Sequence, residues 1–295
     1  MDTVERTGRR VSSPPASAIL LCAIVSFQLG AALATRIFDH TGVVGAVFLR
    51  NAIGALLLLP FARPRLRGRD RRDLLPLVIL GVLLATMNGC FYQALARLPQ
   101  GVAVTIEFLG PLSVAVATSR RRLDLLWVLM AAAGVVMFTG TTDTHGTELT
   151  GLLFALGAAA SWSGYILAVP RVGKLWPGYD GLAGSLVVSA LLLAPLGARH
   201  AVGSLGSPRI LGLAVAVGVF STALPYMLEF SALRRMPARV YGVLTSLEPV
   251  AAAAVGLLVL GQHLRPIELL AGLLIVGASV GVTQTGRERA EITPT

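Results

Sequence analysis

The chain has 295 residues, 55% of them hydrophobic and only 14% charged, with a net charge of +10 and a mean hydropathy of +0.75. A soluble domain carries about a quarter charged residues to cover its surface, so this composition excludes a soluble fold. It also excludes a soluble basic domain for nucleic acid, because the Arg residues lie in short connectors between apolar blocks.

A bilayer core about 30 Å thick takes roughly 20 apolar residues per helix. Apolar runs read against polar connectors predict an all-α polytopic membrane protein with ten transmembrane helices. In chain order the spans are Ala16–Thr35, Thr41–Ala62, Leu74–Leu95, Val102–Thr118, Leu125–Gly140, Leu149–Val169, Gly181–Ala198, Ile210–Ala232, Val240–Leu260 and Ile267–Thr283. The fifth and seventh are short for a span. Arg9–Arg10, the first apolar run and Ala32-Leu33-Ala34 imitate a cleavable signal peptide. That run is as long as a full span and is read as the first helix. Residues 1–15 and 284–295 are then tails, and 16–140 and 149–283 are two five-helix units.

Basic residues fix the expected orientation. With a cytoplasmic N-terminus, the inside segments hold Arg6, Arg9, Arg10, Arg63, Arg65, Arg67, Arg69, Arg71, Arg72, Arg120, Arg121, Arg122, Arg171, Lys174, Arg234, Arg235, Arg239, Arg287 and Arg289. The outside segments hold only Arg36, Arg97, Arg199, Arg209 and Arg265. The positive-inside rule places both termini in the cytoplasm.

The chain also repeats. Shifted by 138 residues, Ala94–Pro111 overlays Ala232–Pro249 with seven of eighteen positions identical, including Pro99/Pro237, Leu109/Leu247 and Pro111/Pro249. Five spans per half is an odd number, so the halves insert as inverted repeats. Secondary transporters are built this way, with the substrate near the midplane between the halves.

The stretches IEFLGPLSVAVATSRR (Ile106–Arg121), TGLLFALGAAASWSGYIL (Thr150–Leu167) and STALPYMLEFSALRRMPARVYGVLTSLEPV (Ser221–Val250) resemble the EamA type of the drug/metabolite transporter superfamily, most closely the bacterial threonine/homoserine exporters. The resemblance covers nearly the whole chain. It implies a multi-pass protein of the bacterial inner membrane that expels small amino acids by proton antiport. A drug/metabolite transporter of the same fold moving another small metabolite is the alternative.

An ionisable residue within a span costs about 2.5–3.5 kcal/mol on insertion scales, so each needs a reason. Glu107 and Glu248 fall at corresponding places in the two halves, four residues and one residue before Pro111 and Pro249. A proline in a span frees the carbonyl four residues earlier, which can serve a ligand where it lines a cavity. The carboxylates are candidates for the substrate ammonium or the coupling proton, against a structural pairing with Arg50. Arg50 itself is read either as a bidentate partner of a substrate carboxylate or as the counter-ion of one Glu. Glu229 reads as an interfacial ion pair with the neighbouring Arg234 and Arg235. Asn88 and Gln28 are costly to bury and are candidates for substrate contact. Trp162 and Tyr165, three apart on one helix face, are candidates to wall a pocket. Pro225 joins Pro111 and Pro249 as a helix-break candidate. Thr245 and Ser246 lean towards helix packing.

Gly277 and Gly281 form a GxxxG, compatible with close helix packing or with a homodimer. Cys22 and Cys90 read as small packing residues. His40, His145, His200 and His263 all fall in outside loops, so no metal site is expected, and no cofactor. With no HExxH, P-loop or paired Asp motif, neither an intramembrane enzyme nor ATP-driven transport is expected. The expected partners are a small amino-acid substrate, protons and the lipid bilayer, with no nucleic acid.

Overall fold

A computed structural model of the chain describes residues 15–62, 69–118, 123–140, 147–204, 206–233, 235, 241 and 244–285. All regular structure among these residues is helical. The helices are α1 (Ala16–Thr35), α2 (Phe38–Leu58), α3 (Arg71–Leu95), α4 (Gln100–Glu107), α5 (Leu109–Thr118), α6 (Leu123–Gly140), α7 (Thr147–Leu175) and α8 (Asp180–Ser204). They continue with α9 (Pro208–Gly218), a π-helical turn (Val219–Ala223), α10 (Leu224–Leu233), α11 (Glu248–Leu260) and α12 (Pro266–Thr285). Of the expected tails, 1–15 and 284–295, residues 1–14 and 286–295 lie outside the described residues.

Among the described residues, six segments are long and apolar enough to cross a membrane by length and composition: α1, α2, α3, Glu148–Leu175, Asp180–Gly203 and Pro208–Ala232. Shorter apolar helices accompany them. Large apolar side chains point outward on several helices, among them Leu258 on α11 at 82% exposed. In water such a surface would drive association; against acyl chains it is matched. The seventh expected span, Gly181–Ala198, proves not to be short, because α8 runs on to Ser204.

The fourth expected span is broken. Pro111 has no N–H to offer the carbonyl of Glu107, its partner in an α-helical register. The α-helical hydrogen-bond register lapses at Phe108, whose φ of −65° and ψ of −12° stay right-handed, and α4 gives way to α5. Pro225 acts similarly on Ser221, where the chain underwinds into the wider π-helical turn before α10. Such turns often mark functional sites. At the third proline, Pro249, α11 simply begins at Glu248 with Pro in its first turn, a position where a missing N–H costs nothing. α11 ends on Gly261, whose φ of 67° allows a Schellman closure in which Gln262 N–H donates to Gly256 C=O at 3.0 Å.

The helices pack in definite pairs: α2 on α8, α3 on α7, α1 on α10, α4 on α11 and α6 on α12. Small residues set how closely they approach. A Cβ on Gly54 of α2 would lie 2.4 Å from Cγ2 of Thr222, and one on Gly30 of α1 would lie 2.4 Å from the backbone nitrogen of Ser221. Both glycines therefore seat the π-helical turn. We expect Gly54→Val to push that turn outward and to cost about 1–3 kcal/mol by overpacking. Thermal denaturation in detergent checks this, against Gly212→Val, where a Cβ meets nothing within 4 Å.

The GxxxG glycines face α6. A Cβ on Gly281 would lie 2.6 Å from the Trp127 indole, and one on Gly277 would meet Met130. That face is used within the chain, so the motif gives no support to a homodimer. Cys22 is exposed and Cys90 half-buried, and both are free thiols.

Candidate functional site

The site is a cavity of about 80 Å³ enclosed by α1, α3, α4, α7, α10 and the stretch leading into α11. One water needs about 10–15 Å³ on this measure, so the cavity takes a small solute. Three carboxylates line it: Glu107 at the end of α4, Glu229 on α10 and Glu248 at the start of α11. A backbone irregularity delivers each of them. Glu107 is the last residue before the break at Phe108, Glu248 opens α11, and Glu229 comes less than two helical turns after the π-helical turn.

The other walls are aromatic and apolar. Trp162 and Tyr165 of α7 and Tyr226 of α10 face the cavity, with Phe27 and Leu20 of α1 and Met87 of α3. Trp162 meets Phe108 edge-on with centroids 5.8 Å apart, so the break in α4 and the pocket wall hold each other. The close approach behind that wall rests on Gly110, whose Cβ would lie 2.5 Å from Ala159 C=O. Ser163 Oγ donates to Gly110 C=O at 3.1 Å across the same seam.

The cavity is asymmetric along the bundle. It is lined mainly by the N-terminal half of α1 and by the C-terminal halves of α7 and of the span Pro208–Ala232, which lie on the side where the chain enters. The opposite side is tied shut by amides. Gln100 Nε2 donates at 2.9 Å to both the carbonyl and Oε1 of Gln28, and Gln100 N–H donates to Gln262 Oε1 at 2.9 Å. Arg36 adds a hydrogen bond to Val259 C=O at 2.9 Å. Gln28 Nε2 and Gln100 Oε1 are buried without a partner. An incompletely satisfied buried network holds less firmly than a complete one.

Of the residues singled out in the sequence, Glu107, Glu248, Trp162, Tyr165 and Pro225 line the cavity, while Arg50, Asn88 and Gln28 do not. Pro111 and Pro249 act on the backbone beside it. Arg50 is fully buried on α2 and donates from Nε to Thr222 Oγ1 at 3.1 Å and from Nη2 to Ser221 C=O at 2.9 Å. No carboxylate among the described residues lies within ion-pairing distance of it. Its guanidinium sits 5.0 Å from the Phe27 ring centroid and 5.3 Å from that of Tyr92. The carbonyl that Pro225 leaves without an α-helical donor is thus taken by Arg50, which clamps the π-helical turn against α1 and α2. Nη1 stays buried and unpartnered.

Asn88 Nδ2 donates to Asn51 Oδ1 at 3.0 Å, a buried tie between α2 and α3. We expect Asn88→Ala to cost about 1–3 kcal/mol of stability, because it strands a buried acceptor. A thermal melt beside substrate titration checks it: a lower melting point with unchanged affinity is the expected outcome.

Glu229 differs from its reading as an interfacial ion pair. Its carboxylate accepts a hydrogen bond from Tyr241 Oη and faces the cavity, while Arg234 lies outside the described residues. Tyr226, Tyr241 and Thr245 complete the polar lining. Tyr241 overlays Ala103 in the 138-residue repeat and carries no sequence signal of its own. Among the described residues, no group of His, Cys, Asp and Glu is arranged to hold a metal.

A polytopic helical bundle with broken helices converging on a small, carboxylate-lined internal cavity defines a membrane transport protein. The model of the EamA-like transporter family matches residues 15–141 and 149–284, and the chain belongs to that family. It is 43% identical over 277 residues to the threonine/homoserine exporter RhtA of Escherichia coli strain K12, covering 93% of each chain. It is 42% identical over 278 residues to the exporter of the same name from Salmonella typhimurium strain SL1344, again over 93% of each. An uncharacterized Bacillus subtilis transporter, YwfM, is 28% identical over 69% of this chain and 74% of its own. A solved crystal structure at 20% identity superposes with a TM-score of 0.58, covering 94% of this chain and 98% of the other, and so shares the fold.

Proposed function

We propose that the protein is a secondary active transporter that exports small amino acids of the threonine and homoserine kind across the bacterial inner membrane, by exchange for protons. The observation that carries this reading is 43% identity, end to end, to an exporter of those amino acids, together with a small internal cavity lined by three carboxylates. A carboxylate in such a place suits both an ammonium group and a proton. The cavity's size favours a small solute over a bulky drug.

The architecture proposed is ten spans in two inverted repeats, residues 16–140 and 149–283, with both termini cytoplasmic. Three observations support it. The family model matches residues 15–141 and 149–284. The helix pairing keeps its form when the halves are exchanged: α1 on α10 becomes α7 on α3, while α2 on α8 and α6 with α12 map onto themselves. The basic residues crowd on the side where the N-terminus enters. On this orientation the cavity lies in the cytoplasmic half, and the Gln28–Gln100–Gln262 ties close the periplasmic half. That is the state in which an exporter loads cargo.

Counterflow tests the cargo. Proteoliposomes of the purified protein, preloaded with unlabelled homoserine, should accumulate labelled threonine transiently. Absence of counterflow from liposomes holding folded, inserted protein would remove these amino acids as cargo.

A further inference from the structure

A second cavity, of about 130 Å³, adjoins the first. It lies between the C-terminal end of α7, the start of α8 and the last two turns of α10, nearer to the turn at residues 176–179 than the central cavity is. Tyr165, Tyr226 and Glu229 line both cavities, so these three side chains are the partition between them. Beyond the partition the outer cavity is bounded by aromatic rings. Tyr179 and Phe230 pack with centroids 4.8 Å apart, and Trp176 lies behind them. Tyr179 Oη is held against Met227 C=O at 3.5 Å.

This is a polarised site. Glu229 is the carboxylate among its lining residues, and among the described residues no basic side chain lines it. A carboxylate set among aromatic faces takes an ammonium group, through charge and cation–π attraction together. It offers nothing comparable to a substrate carboxylate. With both termini cytoplasmic, the outer cavity is the side nearer the cytoplasm.

We infer that the outer cavity is a vestibular binding subsite for the ammonium group of the cargo, and that Tyr165, Tyr226 and Glu229 form the gate between it and the central cavity. The inference rests on the transporter reading of the central site. Cargo stops first with its ammonium at Glu229 in the vestibule. It then passes the two tyrosines, with Glu229 still beside it, to meet Glu107 and Glu248. Glu229 thereby serves two stations. Its hydrogen bond from Tyr241, a residue of the central cavity's wall, anchors the carboxylate from that side of the partition.

Gly173 lines the outer cavity, and a Cβ there meets nothing within 4 Å. The test uses Gly173→Cys in protein carrying Cys22→Ala and Cys90→Ala, reconstituted in liposomes, with Val169→Cys as a second reporter on the same wall. The thiol is reacted with cationic 2-aminoethyl methanethiosulfonate and with neutral methyl methanethiosulfonate. The cationic reagent is expected to gain about tenfold in relative rate from the nearby carboxylate. Glu229→Gln, which keeps an acceptor for Tyr241, should abolish that gain. Homoserine should slow both reagents, and complete modification should block homoserine flux.

A cationic preference unchanged by Glu229→Gln at both reporters would overturn the inference, as a lipid-filled pocket would give. Normal homoserine flux through fully modified protein would overturn it as well. If unmodified protein carries no homoserine, the amino-acid reading fails on its own. The reagent ratio then decides the vestibule separately: a Glu229-dependent ratio upholds an ammonium subsite for another amine, and an independent one overturns it.

Discussion

Glu107→Gln is expected to yield folded, inserted protein whose homoserine flux no longer responds to a pH gradient. Glu107 is buried at the end of α4, beside the helix break, and faces the central cavity. Glutamine preserves its shape but neither binds a proton in the relevant range nor pairs with an ammonium group. A hydrogen bond to a charged group contributes about 1.5–3 kcal/mol, so cargo affinity should fall by roughly 10- to 100-fold. The coupling effect should be larger still, since a proton carrier is absent rather than weakened. The same substitution at Glu248 separates the two roles. If one variant loses gradient response and the other only affinity, the carboxylates divide the work between proton and cargo. Full gradient-driven flux in a folded Glu107→Gln protein would remove that residue from the mechanism. Transport and equilibrium binding on the same preparations measure both quantities.

The second large effect is expected at Arg50, and it should be structural before it is functional. The guanidinium spans two acceptors on the π-helical turn and lies between two aromatic faces. Lysine offers a compact ammonium that cannot reproduce the planar fork. Arg50→Lys should therefore lose at least one buried hydrogen bond and destabilise the protein by about 2–4 kcal/mol. A simple charge pair with a glutamate would have tolerated this change, so thermal stability discriminates the two readings. Arg50→Lys that melts with the wild type would contradict the clamp. Thr222→Val removes one acceptor while keeping the shape, and should produce a smaller loss in the same direction.

Both predictions turn on backbone breaks that the sequence announces only in part. Long apolar runs place the helices to within a few residues, because hydropathy over a span is a sum of many similar terms. Pro111, Pro225 and Pro249 mark where helical hydrogen bonding must fail, but not the geometry the chain adopts instead. At Pro111 the helix loses its hydrogen-bond register for one residue, at Pro225 it underwinds, and at Pro249 a new helix starts. Those outcomes depend on neighbours: Trp162 against Phe108 in one case, Arg50 on the freed Ser221 carbonyl in another.

Partners distant in the chain are the least legible. Gln28 and Asn88 stand out in the sequence as costly residues to bury, yet their partners Gln100 and Asn51 lie 72 and 37 residues away, and each pair shares hydrogen bonds outside the cavity while leaving some of its amide atoms unpartnered. Glu229 illustrates the opposite bias. Nearby Arg234 and Arg235 suggest a local ion pair, whereas the fold brings Tyr241, twelve residues on, to its carboxylate. Glu107, Glu248, Trp162 and Tyr165 are legible because apolar spans leave few reasons to carry such side chains.

The central claim, proton-coupled amino-acid export through the carboxylate-lined cavity, is tested most directly by uptake of labelled homoserine and threonine into inverted membrane vesicles, with and without an imposed proton gradient. Accumulation that requires an acidic vesicle interior, competition between the two amino acids, and loss of gradient dependence in Glu107→Gln are the expected results. Accumulation indifferent to the gradient, or none at all with the protein shown to be inserted, would contradict that claim.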